Sequence, residues 1–152
     1  MLNLSQKEQT LLQDQKSHEE MCIKKYTKYA NEARDPELKQ LFNELASQER
    51  EHLNTVNQIL NGQVPNVSSQ SSSNNSQNEI TQFSGNNMNN QQDADLCQDL
   101  LSTEKYVSST YNTTIFECKD TNVRKALNHI QKEEQEHGEK IYNYMQANGM
   151  YS

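Results

Sequence analysis

The chain aligns with itself at one constant offset and without a gap, so that residue 11 aligns with residue 96 and residue 65 with residue 150. Over this range twelve aligned positions carry the same residue, whereas composition alone would give about four or five. The identical pairs are Leu11/Leu96, Gln13/Gln98, Asp14/Asp99, Ser17/Ser102, Glu19/Glu104, Tyr26/Tyr111, Glu32/Glu117, Asp35/Asp120, Asn43/Asn128, Glu49/Glu134, Glu51/Glu136 and His52/His137. We therefore interpret the chain as one structural unit present twice.

The repeated unit has the hydrophobic period of α-helices. Apolar residues recur at steps of three and four, which places them on one stripe of a helix. In the second helix of the first unit the stripe consists of Leu38, Leu41, Phe42, Leu45, Val56, Ile59 and Leu60. The corresponding stripe of the second unit consists of Val123, Ala126, Leu127, Ile130, Ile141, Tyr144 and Met145. No segment has the alternation of a strand, so we expect an all-α protein built from two helical hairpins.

Helix-terminal residues delimit the first hairpin at about residues 5–62. Ser5 with Glu8 fits a capping box that begins a first helix ending near Ala33. Asp35-Pro36 then begins a second helix, with Asp as N-cap and Pro at the first helical position. Asn61-Gly62 is typical of a helix C-terminus and ends it.

The second hairpin is predicted at about residues 93–149. Its first helix begins near Asp93 and ends near Lys119. Asp120 or Thr121 caps the next helix, which ends at Asn148-Gly149.

A polar segment, residues 65–92, separates the hairpins. Asn, Gln and Ser dominate it, and Glu79 is its only charged residue. This composition is too polar to offset the entropy of ordering, so we expect the segment to be mobile or loosely draped. It is far longer than a connection between antiparallel helices requires. A crossover along the bundle, with the second and third helices parallel, would use this length. We therefore expect residues 1–152 to form a single domain, a ferritin-like four-helix bundle.

The apolar stripes are interrupted by acidic and imidazole side chains at equivalent places. Glu49 lies between Leu45 and Val56 on the buried face, with His52 one turn further on. Glu19 and Glu49 lie about equally far from the hairpin turn, which puts them at one height. The same spacing holds in the second hairpin, so six candidate ligands share one level of the core: Glu19, Glu49, His52, Glu104, Glu134 and His137.

Four carboxylates buried together cost several kcal/mol per ion unless they are neutralised. Two divalent cations would balance their charge, and one Glu from each of two helices plus a Glu-x-x-His from each of the others is the arrangement of di-iron and di-manganese carboxylate proteins. We predict two metal ions bridged by Glu49 and Glu134. Mixed Glu/His ligation suits iron or manganese, with zinc as a substitute. The alternative is a salt-bridged polar layer left over from an ancestral site.

Other residues near the predicted site are less specific. Tyr26 and Tyr111 lie two turns from Glu19 and Glu104 on the same faces. They fill the core with a polar tip, or they donate hydrogen bonds to the ligands or take part in redox chemistry. Cys22, one turn from Glu19, is a further candidate neighbour of the metals. We expect the remaining helical acids, Glu20, Glu51, Glu133, Glu136 and Glu139, to lie on solvated faces.

Charge and composition argue against several classes of partner. The net charge of −7 and the absence of a basic cluster argue against a nucleic-acid partner. No stretch is apolar enough to span a membrane, and the N-terminal segment lacks a signal-peptide core, so we expect synthesis in the cytosol without secretion by a signal peptide. No two of the three cysteines form a Cys-x-x-Cys motif, and their odd number and wide spacing indicate buried thiols rather than disulfides.

The second half of the chain resembles the spore coat protein F family of endospore-forming Firmicutes. The resemblance lies in Tyr111-Asn112-Thr113, in Glu117-Cys118 before the hairpin turn, and in the closing segments 141–145 and 149–151. It implies a ferritin-like fold, a place in the spore coat, and other coat proteins or further copies of the chain as partners.

The six candidate ligands match instead those of ferritins, rubrerythrins and manganese catalases. Here the first Glu and the Glu-x-x-His are closer in sequence than is usual in ferritins, and there is no four-cysteine module like that of rubrerythrins. Two function classes follow. One is a redox enzyme whose metals react with peroxide or dioxygen, and the other is a structural coat protein whose metal site is stabilising or vestigial.

Overall fold

The computed structural model describes residues 2–65, 83 and 90–150 of the chain. Four α-helices account for most of them: α1 (Gln6–Glu32), α2 (Pro36–Leu60), α3 (Gln91–Glu117) and α4 (Thr121–Ala147). The described residues contain no strand. The predicted all-α class and the four helices are confirmed, and α3 begins and ends slightly earlier than predicted.

Local sequence explains where these helices begin and end. Ser5 and Glu8 form the predicted capping box. The side chains of Asp35 and Asp120 each accept a backbone N–H in the first turn of α2 and α4. After α2 and α4 the chain turns at Gly62 (φ 83°) and Gly149 (φ 68°), where a residue with a Cβ would be strained.

The contacts between α1 and α3 show that these helices run in opposite directions. Near the start of α1, Gln15 donates a hydrogen bond to Thr114 near the end of α3 (3.1 Å). Later in α1, Lys25 pairs with Asp99 near the start of α3 (3.1 Å). A residue further along α1 therefore meets a residue earlier in α3.

The same rule holds for α2 and α4, where Glu44 pairs with Lys140 (3.3 Å) and the later His52 meets the earlier Glu133 (2.7 Å). Since each hairpin is itself antiparallel, α2 and α3 run parallel. The end of α2 and the start of α3 therefore lie at opposite ends of the bundle, in agreement with the predicted crossover.

The polar segment expected to be mobile or loosely draped lies almost entirely outside the described residues. Phe83 is the one residue between 66 and 89 that the structure describes. Its ring packs edge-on against Tyr144 of α4, with the ring centroids 5.2 Å apart.

Two acidic side chains join each hairpin to the turn of the other. Asp93 at the start of α3 accepts the backbone N–H groups of Arg34 and Asp35 in the α1–α2 turn, at 2.9 and 3.0 Å. Glu8 at the start of α1 accepts the N–H of Lys119 in the α3–α4 turn at 3.1 Å. Glu8 and Asp93 occupy equivalent positions of the two halves, so the duplication produces a reciprocal pair of contacts that holds the hairpins in register.

The apolar stripes meet in one core, in which residues such as Leu41, Phe42, Leu127 and Ile130 are fully or almost fully buried. The candidate ligands lie within this core. They are therefore enclosed by apolar side chains on both sides along the bundle axis.

Candidate metal centre

The structure brings all six sequence-predicted ligands together in the bundle core. Glu19 comes from α1, Glu104 from α3, and a Glu-x-x-His pair from each of α2 and α4. None of the six residues is more than 2% exposed. Four carboxylates and two imidazoles therefore share one buried volume.

The six residues divide into two groups that share two members. The first group is Glu19, Glu49, His52 and Glu134, and the second is Glu49, Glu104, Glu134 and His137. In each group the candidate ligand atoms lie within 4.8 Å of one another, comparable with the span of two metal–ligand bonds of about 2.2 Å. Glu49 and Glu134 belong to both groups, which is the arrangement expected of two bridging carboxylates.

Both imidazoles present Nδ1 to these carboxylates. His52 Nδ1 lies 2.7 Å from Glu49 and 3.4 Å from Glu134. His137 Nδ1 lies 3.3 Å from Glu104 and 3.2 Å from Glu134. The two rings are nearly parallel, with an interplanar angle of 16° and centroids 5.6 Å apart. One nitrogen of each ring thus faces the centre, leaving Nε2 for outer partners.

Without metal, the carboxylates and imidazoles shift each other's titration. Burial, reinforced by the charges of Glu104 and Glu134, raises the pKa of Glu49. Burial, reinforced by Glu134, raises the pKa of Glu104. Burial also opposes the charge of Glu134, but the nearby imidazoles outweigh it and lower its pKa.

The histidines show the complementary effect. Burial opposes a positive charge on His52, but the carboxylates around it, Glu134 foremost, raise its pKa well above the usual value. Burial opposes the charge of His137 likewise, and the adjacent carboxylates of Glu104, Glu134 and Glu49 raise its pKa. Protonated imidazoles therefore take up part of the negative charge when no metal does.

The protonated imidazoles do not satisfy the carboxylates. Among the described residues, five buried oxygens of these four groups have no hydrogen-bond donor: Oε1 of Glu19, Oε2 of Glu49, Oε1 of Glu104, and both oxygens of Glu134. Buried polar atoms without partners are rare in native proteins and each costs about 1–3 kcal/mol. Oxygen atoms that face each other across a buried centre are what a divalent cation binds, so the residues fit a pair of metal ions.

Two tyrosines bind the terminal carboxylates, by which we mean Glu19 and Glu104, each of which belongs to only one of the two groups. Tyr26 donates a hydrogen bond to Glu104, and Tyr111 donates one to Glu19. Each hairpin therefore supplies the tyrosine that orients the other hairpin's glutamate. Burial, reinforced by these carboxylates, raises the pKa of both phenols, so they remain protonated donors. From the sequence, core packing and hydrogen bonding to the candidate ligands were alternative roles for Tyr26 and Tyr111. In the structure both tyrosines have both roles.

The outer nitrogens of the two histidines have different partners. His52 Nε2 lies 2.7 Å from Oε1 of Glu133, whereas His137 Nε2 lies 2.6 Å from Oε1 of Gln48. Residues 48 and 133 are equivalent in the duplication, so one half of the centre has a carboxylate where the other has an amide. The prediction that Glu133 lies on a solvated face was wrong, because it is half-buried against α2. The constant offset between the two halves was the signal that could have identified this pair.

Cys22 is fully buried in the core. Burial, together with the charges of the four carboxylates, raises the pKa of its thiol far above the usual value, so it remains protonated. It belongs to neither group of candidate ligands and behaves as a small apolar residue beside them.

A pocket of about 630 Å³ opens between α3 and α4, and Glu104 and Glu134 are among its lining residues. The pocket wall also includes Ser108 and Gly138. Sequence patterns did not predict it, because a glycine within a helix does not by itself indicate an opening.

In the comparisons with known proteins, a family model matches part of the chain. Residues 92–152, which contain most of α3 and all of α4, match the Coat F domain. The resemblance seen in the sequence is thereby confirmed for the second hairpin. No curated protein and no solved structure matches the chain. Within the described part of the chain, no helix combines the length and apolar character needed to cross a membrane.

Proposed function

We propose that this Coat F domain protein is a spore coat component whose bundle core binds two divalent metal ions. Glu19 and His52 would bind one ion, Glu104 and His137 the other, and Glu49 and Glu134 both. One observation carries the proposal: five buried carboxylate oxygens face this centre without a hydrogen-bond donor.

Charge balance favours a pair of ions over one. Four carboxylates carry four negative charges, which two divalent cations neutralise while both imidazoles stay uncharged. Protons on the imidazoles can offset charge, but they leave five carboxylate oxygens of the site without a hydrogen-bond donor. A single ion would leave the carboxylate of Glu19 or of Glu104 buried without a cation to balance its charge, at a cost of several kcal/mol.

The ligand types favour iron or manganese. Carboxylate oxygen with one imidazole per ion is harder than the thiolate-rich sets that select zinc or copper(I). Cys22 belongs to neither group of candidate ligands, so neither group contains a thiolate. Zinc would bind as a substitute if it were more available during purification.

A place in the spore coat follows from the Coat F domain of the second hairpin. The equivalent first hairpin extends the same architecture through the duplication. Other coat proteins, or further copies of this chain, are the partners that such a location implies.

Metal analysis of the purified protein tests the metal-binding proposal. We expect two equivalents of iron or manganese per chain after loading and desalting, measured by plasma mass spectrometry. The variant Glu49→Gln/Glu134→Gln removes both shared carboxylate charges with little change of shape and should lose at least one equivalent. Glu51→Gln/Glu136→Gln is the matched control, because it makes the same changes two residues further along each helix. Wild-type protein that retains no metal would refute the proposal.

A redox activity is the second candidate function, and the pocket that reaches Glu104 and Glu134 favours it. A purely structural centre gains nothing from an opening beside its ligands. Adjacent iron or manganese ions supply redox chemistry with peroxide or dioxygen. Around them, this chain's own residues would hold the ligands: Tyr26 and Tyr111 orient the terminal carboxylates, and the apolar core limits water.

Hydrogen peroxide consumption is the activity to measure first, because disproportionation to water and dioxygen needs no further electron donor. Ferrous oxidation by dioxygen or peroxide is the second assay. Both are run with iron-loaded and manganese-loaded protein beside Glu49→Gln/Glu134→Gln. Rates in the wild type no greater than in this variant would favour a structural coat protein.

A further inference from the structure

The two hairpins differ at the surface that covers the metal centre. The pocket of about 630 Å³ lies on the α3–α4 side and is lined by two of the candidate metal ligands, Glu104 and Glu134. We propose that this pocket is the route and the binding subsite through which a small, uncharged polar molecule reaches the metal pair. This inference rests on the proposed metal centre. It adds the side of the bundle from which a reactant approaches the metal ions, and the chemical class of that reactant.

The duplication allows each pocket residue to be compared with its equivalent in the first hairpin. Gly138 corresponds to Leu53, and Ser108 corresponds to Ile23. Two branched apolar side chains of the α1–α2 hairpin are thus replaced by a hydrogen atom and a hydroxymethyl group in the α3–α4 hairpin. The ligands beneath are glutamates in both hairpins. The residues that cover the centre therefore differ between the hairpins, whereas the candidate ligands beneath them do not.

Backbone geometry does not explain Gly138. It lies inside α4, where glycine costs about 1 kcal/mol relative to alanine, and it is not among the glycines with positive φ. A Cβ built there would meet Leu101 Cδ1 at 3.6 Å, an ordinary contact. Alanine would fit and would stabilise the helix. What glycine provides at this position is the space beside it.

The pocket wall indicates the kind of molecule that it accepts. Apart from the two ligands, its polar lining is mainly hydroxyl and amide groups, with one positive and one negative side chain, Lys105 and Glu139. Gln131 donates to the carbonyl of Ser108 (2.8 Å) and to Asn112 Oδ1 (2.7 Å), which braces the wall between α3 and α4. Because the pocket wall carries one positive and one negative side chain besides the two ligands, these side chains select neither an anion nor a cation. The hydroxyl and amide groups of the wall favour a molecule that forms hydrogen bonds. Hydrogen peroxide is small and uncharged, and it both donates and accepts hydrogen bonds.

The test closes the pocket with the residues that the first hairpin already carries. Gly138→Leu and Ser108→Ile fill it from α4 and α3 independently, and Gly138→Ala is the matched control that adds helix propensity without filling it. Each protein is first loaded with iron and its metal content measured. The readout is the association rate of nitric oxide, a small uncharged molecule, with the ferrous centre under anaerobic conditions, followed by the absorption band of the product. Peroxide consumption is measured in parallel.

Nitric oxide association is expected to slow by about tenfold or more in Gly138→Leu and Ser108→Ile, and to stay within about twofold of wild type in Gly138→Ala. If Gly138→Leu does not load with metal, Ser108→Ile decides. Equal nitric oxide association rates in the loaded wild type and the loaded filled variants would overturn the access route while leaving the metal centre intact. A wild-type protein without metal would instead refute the proposed function, and the pocket would then have no centre to serve.

Discussion

Replacing Glu133 with glutamine tests whether the two halves of the centre bind metal unequally. Glu133 lies 2.7 Å from His52 Nε2, and its equivalent Gln48 lies 2.6 Å from His137 Nε2. An anionic partner on the outer nitrogen makes an imidazole more basic and a better ligand through the inner nitrogen. We therefore expect the ion held by His52 to bind more tightly than the ion held by His137. Glu133→Gln should remove the difference.

The magnitude follows from the type of hydrogen bond that is exchanged. A hydrogen bond to a charged group contributes about 1.5–3 kcal/mol and a neutral one about 0.5–1.5 kcal/mol. The side chain of Glu133 is 31% exposed, so solvent screens part of its charge. We expect a loss of about 1 kcal/mol at the His52 ion, which is about fivefold in Kd. The variant Gln48→Glu should strengthen the His137 ion by a similar factor.

Calorimetric titration with manganese at pH 7 measures the two stepwise Kd values. Anomalous diffraction from crystals given less than one equivalent shows which ion is bound first. In the wild type the first ion should lie at His52, and in the double variant Glu133→Gln/Gln48→Glu it should lie at His137. Unchanged Kd values in Glu133→Gln, or a first ion at His137 in the wild type, would refute this reasoning.

Three further predictions concern stability. In the metal-free protein the raised pKa values of His52 and His137 stabilise the fold fully below the unfolded pKa of about 6.5, and this contribution is lost as the pH rises through their folded values. Metal needs both imidazoles neutral, so the difference in Tm between loaded and chelated protein should widen from pH 6 to 9; a constant difference in thermal melts would contradict this. Asp93→Ala leaves the backbone N–H groups of Arg34 and Asp35 without an acceptor. It should lower the free energy of unfolding by about 3 kcal/mol in urea titrations, while Asp95→Ala on the exposed face should have little effect. Replacing residues 66–89 with a four-residue loop should abolish metal binding and lower the Tm, since such a loop cannot join parallel helices; an unchanged Tm would show that the crossover is wrong.

Much of the fold could be predicted because local chemistry encodes it. The capping box at Ser5, Asp35-Pro36 and Asn61-Gly62 bound helices through contacts between residues a few positions apart, so the observed ends lie close to those predicted. The start of α3 was less exact, because Asn90 caps it from within the polar segment, where the sequence offers many equivalent caps. The crossover followed from a length that a direct connection does not need.

The duplication also determined which six side chains could form a centre. Glu49 and Glu134 interrupt apolar stripes, so helix periodicity alone assigns them to the buried face. Their use as metal ligands remains a proposal, which the orphaned oxygens support.

What the sequence could not decide is how the hairpins face each other. Periodicity assigns residues to a helix face but says nothing about which helix covers that face. The exchange of Tyr26 and Tyr111 between hairpins, the pairing of His52 with Glu133, and the pocket beside Gly138 all depend on how neighbouring helices pack. These contacts join residues that lie far apart in the chain, and only tertiary packing brings them within reach of one another.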